Sequence, residues 1–249
     1  MQIVFLAAGK GTRVYGKIKK NKCLIKLQGK TILSRLIQNA KNKNISKINI
    51  VVGFKKDNII KETQNLDINY IVNKKYKTTE MLHSLILAIK EINEDLIISY
   101  TDIVYESTIL GKLKKNDNKN FILPILSNWK KIWKIRDKAI SDDVESLKIK
   151  NNILIEIGKK VIDKKDVQGQ YMGLIFIPKI LRNKIINYYK SGNFKKMQLT
   201  QFINNFLKVA KFKTFTTNKS WYEFDDFEDI KNFKNNFLIN DKNKFFKKK

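Results

Sequence analysis

Along the first hundred residues, apolar runs of strand length alternate with segments of helical period. Ile3 to Ala7 is an unbroken apolar run, and Thr31 to Ala40 places Ile32, Leu33, Leu36, Ile37 and Ala40 on one helix face. Strand-like Ile48–Val52 follows, then a helix from about Lys56, a strand Ile68–Val72, a helix near Glu80 to Ile92, a strand Leu96–Tyr100 and a short helix after Glu106. This rhythm predicts an α/β fold, a sheet with helices on both faces, whose ligands bind beyond the carboxyl ends of the strands. The second half carries strand patterns at Phe121–Leu126, Leu147–Ile149, Ile153–Ile157 and Met172–Ile177 with less helix between them. Helices are expected again at about Lys179 to Tyr189 and Leu199 to Val209, then a strand Phe212–Thr216 and a helix from about Asp226 to Phe237. With two prolines, ten glycines and no Gly/Ser-rich linker, the chain reads as a single domain over 1–239 and a basic, fraying tail over 240–249 with five lysines.

Composition changes this picture in one respect, the net charge of +28. The cations divide into 47 lysines and only four arginines, beside 27 asparagines. Base reading leans on the arginine fork, so the Lys, Asn and Ile excess reads as AT-rich coding bias and no specific nucleic acid is expected. A basic nucleic-acid-binding protein stays open as an alternative of another class. No run reaches the roughly 18 apolar residues of a membrane span, no signal peptide is visible, and a single cysteine excludes an internal disulfide; a cytoplasmic monomer or homodimer with no membrane partner is expected. One histidine, His83, leaves no His-rich zinc site.

Candidate chemistry starts at Leu6-Ala7-Ala8-Gly9-Lys10-Gly11-Thr12-Arg13, directly after the first strand. Glycines that aim backbone amides at an anion, with Lys10 and Arg13 adding charge, suit a phosphate. The dinucleotide fingerprint lacks its third glycine, and Gly29-Lys30-Thr31 has Leu24 where a P-loop needs glycine. The opening segment, with Asn21-Lys22-Cys23-Leu24, Gly29-Lys30-Thr31-Ile32, Ser99-Tyr100-Thr101-Asp102 and Trp221-Tyr222-Glu223-Phe224-Asp225, resembles the nucleotidylyltransferases, with Asn21 replacing the family's proline. The resemblance implies a Rossmann-like nucleotidyltransferase fold with a mixed, mostly parallel sheet.

It further implies that Arg13 and Lys22 are catalytic cations, that Leu6, Ala8, Gly9, Lys10, Gly11, Thr79, Glu80 and Ser84 bind the nucleotide, and that Asp102 and Asp225 hold Mg2+. Glu80 departs from the asparagine commoner there. Lys160, in Glu156-Ile157-Gly158-Lys159-Lys160, matches the strand end that grips an acceptor phosphate, and Arg136 is expected to hold that phosphate with it. Trp129 and Trp133, four residues apart and followed by Arg136, Asp142, Asp143 and Glu145, suggest a cage for a cationic head group; the competing reading packs the tryptophans on the sheet and solvates the acids. That pattern and Gln168-Gly169-Gln170-Tyr171-Met172-Gly173 resemble the branch that activates phosphonates or phosphocholine, implying CTP and a small phosphoryl acceptor as partners, with Tyr171 at the acceptor. A sugar-1-phosphate nucleotidylyltransferase is the alternative within the family.

Overall fold

The computed structural model describes residues 1–12, 16, 20–45, 47–116, 119–137, 144–161 and 163–238. Arg13, Asp142, Asp143 and the basic tail therefore lie outside the described residues. Strand β1 (Gln2–Ala7) precedes a hairpin of β2 (Lys26–Leu27) and β3 (Lys30–Thr31), then α1 (Ile32–Lys41), β4 (Ile48–Val52), α2 (Lys56–Thr63), β5 (Ile68–Val72), α3 (Met81–Glu91) and β6 (Leu96–Tyr100). Next come β7 (Ile103–Tyr105), α4 (Thr108–Lys114), β8 (Phe121–Leu126), α5 (Trp129–Arg136), β9 (Glu145–Lys150), β10 (Ile153–Lys160), β11 (Gln170–Tyr171) and β12 (Leu174–Ile177). The chain continues through α6 (Arg182–Lys190), α7 (Leu199–Phe206), β13 (Phe212–Thr217), β14 (Trp221–Glu223) and α8 (Phe227–Phe233).

The main sheet runs β5-β4-β1-β6-β12-β8-β13-β10-β9, with β11 also paired to β8. The pairings β5/β4, β4/β1, β1/β6 and β8/β13 are parallel, while β12, β10 and β11 run against their neighbours. Most strands thus share one direction, in a single α/β domain as the alternating pattern implies. Both faces are covered, which explains why β1 is apolar throughout: Ile3, Phe5 and Ala7 enter one core cluster, and Val4, Leu6 and Ala8 the other. Helices α1, α4, α5 and α8 close the first face, and α3, α6 and α7 the second.

Local chemistry sets several boundaries. Thr31 Oγ1 accepts a hydrogen bond from the Ser34 amide (3.1 Å) and starts α1. Asp226 and Asp229 form a reciprocal capping box at α8. The expected strand Met172–Ile177 is divided at Gly173, whose φ of +71° and contact with the Tyr100 ring exclude a side chain. The predicted helix from Asp226 to Phe237 is α-helical only to Phe233 and closes in a π-helical turn, Lys234–Leu238. Two short strands lack any alternation strong enough to predict them: β7 and β14 pair antiparallel, with Trp221 opposite Tyr105 and Glu223 opposite Ile103. No helix among the described residues is long and apolar enough to cross a membrane.

Gly158 tests the fit of α7 on the sheet. It lies in an irregular stretch of β10 with φ of +78°, and a Cβ there would meet the Thr200 backbone carbon at 2.8 Å. Left-handed backbone costs a side-chain-bearing residue about 1–2 kcal/mol, and a backbone neighbour cannot rotate away. Gly158→Ala should therefore destabilise the fold by about 2 kcal/mol or more in a denaturant titration; an unchanged midpoint would refute the packing.

Candidate active site

The carboxyl ends of β5, β4, β1 and β6 open onto one cleft of about 1130 Å³. Leu6, Ala8, Gly9, Lys10, Gly11, Lys22, Thr79, Glu80, Ser84, Asp102 and Asp225 all line it. The structure thus gathers, in one place, every nucleotide, metal and catalytic residue inferred from sequence that falls among the described residues. Of the two glycines in the loop, Gly11 has the left-handed backbone, φ +59°, and its missing Cβ leaves room for the Lys22 side chain at 3.2 Å. Lysine Lys10 lies 5.8 Å from the Phe54 ring centroid.

The wall after β5 is a hydrogen-bonded network. Asn73, beyond the end of β5, donates through Nδ2 to Ser84 Oγ (3.0 Å) and Thr79 Oγ1 (3.3 Å), while its Oδ1 accepts from the Lys75 amide. Glu80 occupies the N-cap of α3 without a capping hydrogen bond from its side chain, and its amide donates to the Lys195 carbonyl. Asn21 donates from Nδ2 to the Phe54 carbonyl (2.7 Å), tying the Lys22 turn to the loop after β4. Asn73, Phe54, Tyr76 and Asn21 all line the cleft. The motif reading missed Asn73 and Phe54 because their signal is position after a strand rather than residue type.

At the opposite end, the β7–β14 pairing brings two distant segments together. The Phe224 amide donates to the Asp102 carbonyl at 2.8 Å, and carboxylate oxygens of Asp102, Glu223 and Asp225 all lie within 4.8 Å of one another. Lys22 Nζ is 2.9 Å from Asp102 Oδ2 and 3.6 Å from Asp225 Oδ1. Burial acts to lower the Lys22 pKa, but Asp102 and Asp225 outweigh it and hold the ammonium above its ordinary value. Burial, reinforced by Asp225 and Asp102, pushes the Glu223 carboxyl well above the usual carboxylate range, against the pull of Arg136. Asp102 Oδ1 is buried without a hydrogen-bond partner. Hard oxygens at this spacing, one still unsatisfied, fit a divalent cation. Glu223 was the middle residue of the late motif, and only the strand pairing shows that it faces the two aspartates.

The expected acceptor residues do not form a cage. Trp129 and Trp133 are 3% and 2% exposed, edge to face with one another, and sit in the core under the sheet. Arg136, expected at the acceptor phosphate, has no exposed side-chain surface and is paired internally. These three assignments are corrected: α5 turns its aromatic side onto β-sheet core, so no ligand reaches it. Tyr171 is buried edge to face against Tyr100, 5.8 Å between centroids. Its hydroxyl is buried without a hydrogen-bond partner among the described residues, and burial, with Glu145 and Glu223 adding to the shift, raises its phenol well above the ordinary value. Glu145 accepts from Thr200 Oγ1 (2.9 Å) and faces the exposed Lys160 across the β9–β10 ladder. None of these residues lines the cleft as it stands.

Residues 3–132, which carry the glycine loop, Lys22 and Asp102, match the family model of the MobA-like NTP transferase domain. The chain belongs to this family. Along nearly its whole length the NTP transferase is also similar to the CTP:phosphoglutamine cytidylyltransferase of Campylobacter jejuni, 30% identical over 92% of this chain and 98% of that protein. Its fold is that of the CTP:phosphocholine cytidylyltransferase of Streptococcus pneumoniae (TM-score 0.74, 19% identity, covering 94% and 97% of the two chains). It is likewise that of the inositol-1-phosphate CTP transferase of T. maritima (TM-score 0.75, 16% identity, 92% and 90%). The chain is therefore an enzyme of the nucleotidyltransferase class, a family generally dependent on divalent metal.

Because Lys22 and a divalent cation would compete for Asp102, Lys22→Gln should bind Mn2+ more tightly without nucleotide. Losing a charged hydrogen-bond partner, worth about 1.5–3 kcal/mol before screening, corresponds to roughly tenfold in affinity. The same variant should lose nucleotidyl transfer, so opposite movements of metal affinity and turnover are expected. Mn2+ binding measured by electron paramagnetic resonance checks this; equal affinity in the two proteins would show that Lys22 does not hold the carboxylates.

Proposed function

We propose that this enzyme transfers CMP from CTP to a small phosphorylated acceptor, a phosphomonoester or phosphonate, and releases pyrophosphate. The observation that carries the reading is the single cleft joining the Gly9–Gly11 loop to Lys22 and the Asp102–Glu223–Asp225 cluster. The full-length similarity to a cytidylyltransferase acting on a phosphorylated small molecule supports the choice of base and acceptor class.

In this reaction an acceptor phosphoryl oxygen attacks the α-phosphorus of the nucleotide, and the bond to the bridging oxygen of pyrophosphate breaks. Little covalent work falls to the protein, which must position two polyanions and neutralise them. Gly11 turns the loop so that amides face the phosphates, and Lys10 adds a mobile cation at the same wall. Lys22 is poised at the boundary between the carboxylates and the phosphate end, where its ammonium can neutralise the α-phosphate. The Asn73–Thr79–Ser84 network orders the wall that receives the base, and Glu80 starts the helix behind it. Asp102 and Asp225, joined by Glu223, would hold Mg2+, which supplies positive charge to the transferring group when bound. The acceptor is received on the Asp102 side of the cleft.

Asp102→Asn and Asp225→Asn should each cut kcat by roughly a hundredfold or more, the scale set by removing one stabilising group from a transferring centre, while the circular dichroism spectrum is kept. Near wild-type turnover at saturating magnesium in either variant would sink the metal assignment. Pyrophosphate release with each of the four nucleoside triphosphates, against phosphoglutamine, phosphocholine, 2-aminoethylphosphonate and sugar 1-phosphates, identifies the substrates. CTP with a phosphorylated amine compound is the expected pair, and activity confined to UTP or dTTP with a sugar phosphate would replace it.

A further inference from the structure

Arg136 closes α5, and its side chain has no exposed surface. It grips Asp229 as a fork, Nε to Oδ1 at 2.8 Å and Nη2 to Oδ2 at 3.0 Å. Nη2 also donates to Asp225 Oδ2 at 2.6 Å, and Nη1 is 3.5 Å from Glu223 Oε2. Asp229 Oδ2 accepts in turn from the backbone amides of Asp225 (2.7 Å) and Asp226 (3.2 Å). The guanidinium is stacked over Trp133, 4.8 Å from the centroid, and the Arg136 carbonyl accepts from Asn232 Nδ2. The arginine thus holds the Asp225 side chain directly, and Asp229, which it grips, holds the Asp225 backbone amide.

The consequence lies in how the two oxygens of Asp225 are divided. Oδ2 is turned inward to the guanidinium, and Oδ1 faces the cleft, 3.6 Å from Lys22 Nζ. We infer that Arg136 is a positioning residue that fixes the Asp225 carboxylate with a single oxygen presented to the metal, and that the Trp133–Arg136–Asp229 unit exists to hold that orientation. The inference rests on the reading that Asp225 is a metal ligand. Geometry explains why an arginine serves: its planar fork reaches two carboxylates at fixed angles, whereas a lysine keeps the charge as a compact ammonium without that fork. A buried cation surrounded by three carboxylates is also costly to disturb, so stability and orientation must be separated by the measurement.

The test is Mn2+ affinity by electron paramagnetic resonance, together with CTP affinity by calorimetry without metal and the thermal midpoint, for R136K, D229N and D225N. Groups that orient a metal ligand typically contribute 10–100-fold to metal affinity. R136K and D229N should therefore bind Mn2+ about tenfold more weakly at a temperature well below their midpoints, with metal-free CTP affinity kept within twofold. A folded R136K or D229N with wild-type Mn2+ affinity, whatever its midpoint, would overturn the inference, and two variants that only unfold would assign the network to stability and overturn it too. D225N separates this from the underlying reading: wild-type Mn2+ affinity in D225N would remove Asp225 as a ligand, whereas loss in D225N with none in R136K would fail Arg136 alone.

Discussion

Three carboxylates crowded at one end of a cleft set the problem that the surrounding structure answers. Two like charges about 4 Å apart repel by roughly 4 kcal/mol at an effective dielectric of 20, so a fold that brings Asp102, Glu223 and Asp225 together must supply counter-charge from within. It supplies two cations of different kind. Arg136 is buried and immobile, braced by Asp229 and Trp133. Lys22, on a short turn at the edge of the cleft, is held by two of the carboxylates but reaches solvent. The fixed cation makes the cluster tolerable in the folded state, and the partly accessible one can be shared with an incoming polyphosphate.

The sheet topology brings these parts to one edge. Parallel β1, β4, β5 and β6 deliver the glycine loop, the Phe54 loop, Asn73 and Asp102 at a common end. The late motif, more than a hundred residues further on, reaches the same point through β14, which adds to β7 rather than to the main sheet. Three backbone pairs and the Phe224–Asp102 hydrogen bond fix the separation of the carboxylates more tightly than side-chain packing alone could.

Much of this was legible in the chain. Apolar runs located β1 and β4, buried on both faces, period-3.6 patterns located α1 and α3, and the strand-then-glycine order marked the Gly9–Gly11 end of the cleft. The β7–β14 pair escaped because three-residue strands carry no period. Glu223 escaped as a cluster member for the same reason, since nothing in Trp221-Tyr222-Glu223-Phe224-Asp225 says which side chains share a side until the register is known. The network at Asn73 was illegible because asparagine is everywhere in a chain this rich in it, and only the structure shows this one buried, at 2% exposure, and bonded to Thr79 and Ser84.

The aromatic and acidic residues from Trp129 onward show how correct chemistry can be assigned to the wrong partner. A tryptophan pair beside carboxylates does hold a cation, since a ring face attracts positive charge and acids neutralise it. In this fold the cation is the protein's own. The guanidinium of Arg136 lies over Trp133, three residues earlier on the same helix, and it pairs with the carboxylates of Glu223, Asp225 and Asp229. Helical spacing already allowed this, because residues three apart lie on one side of a helix. What decides between an internal and an external cation is whether the rings face solvent, and β8 and α8 leave them none. The tryptophan pair is therefore closed to an external cation.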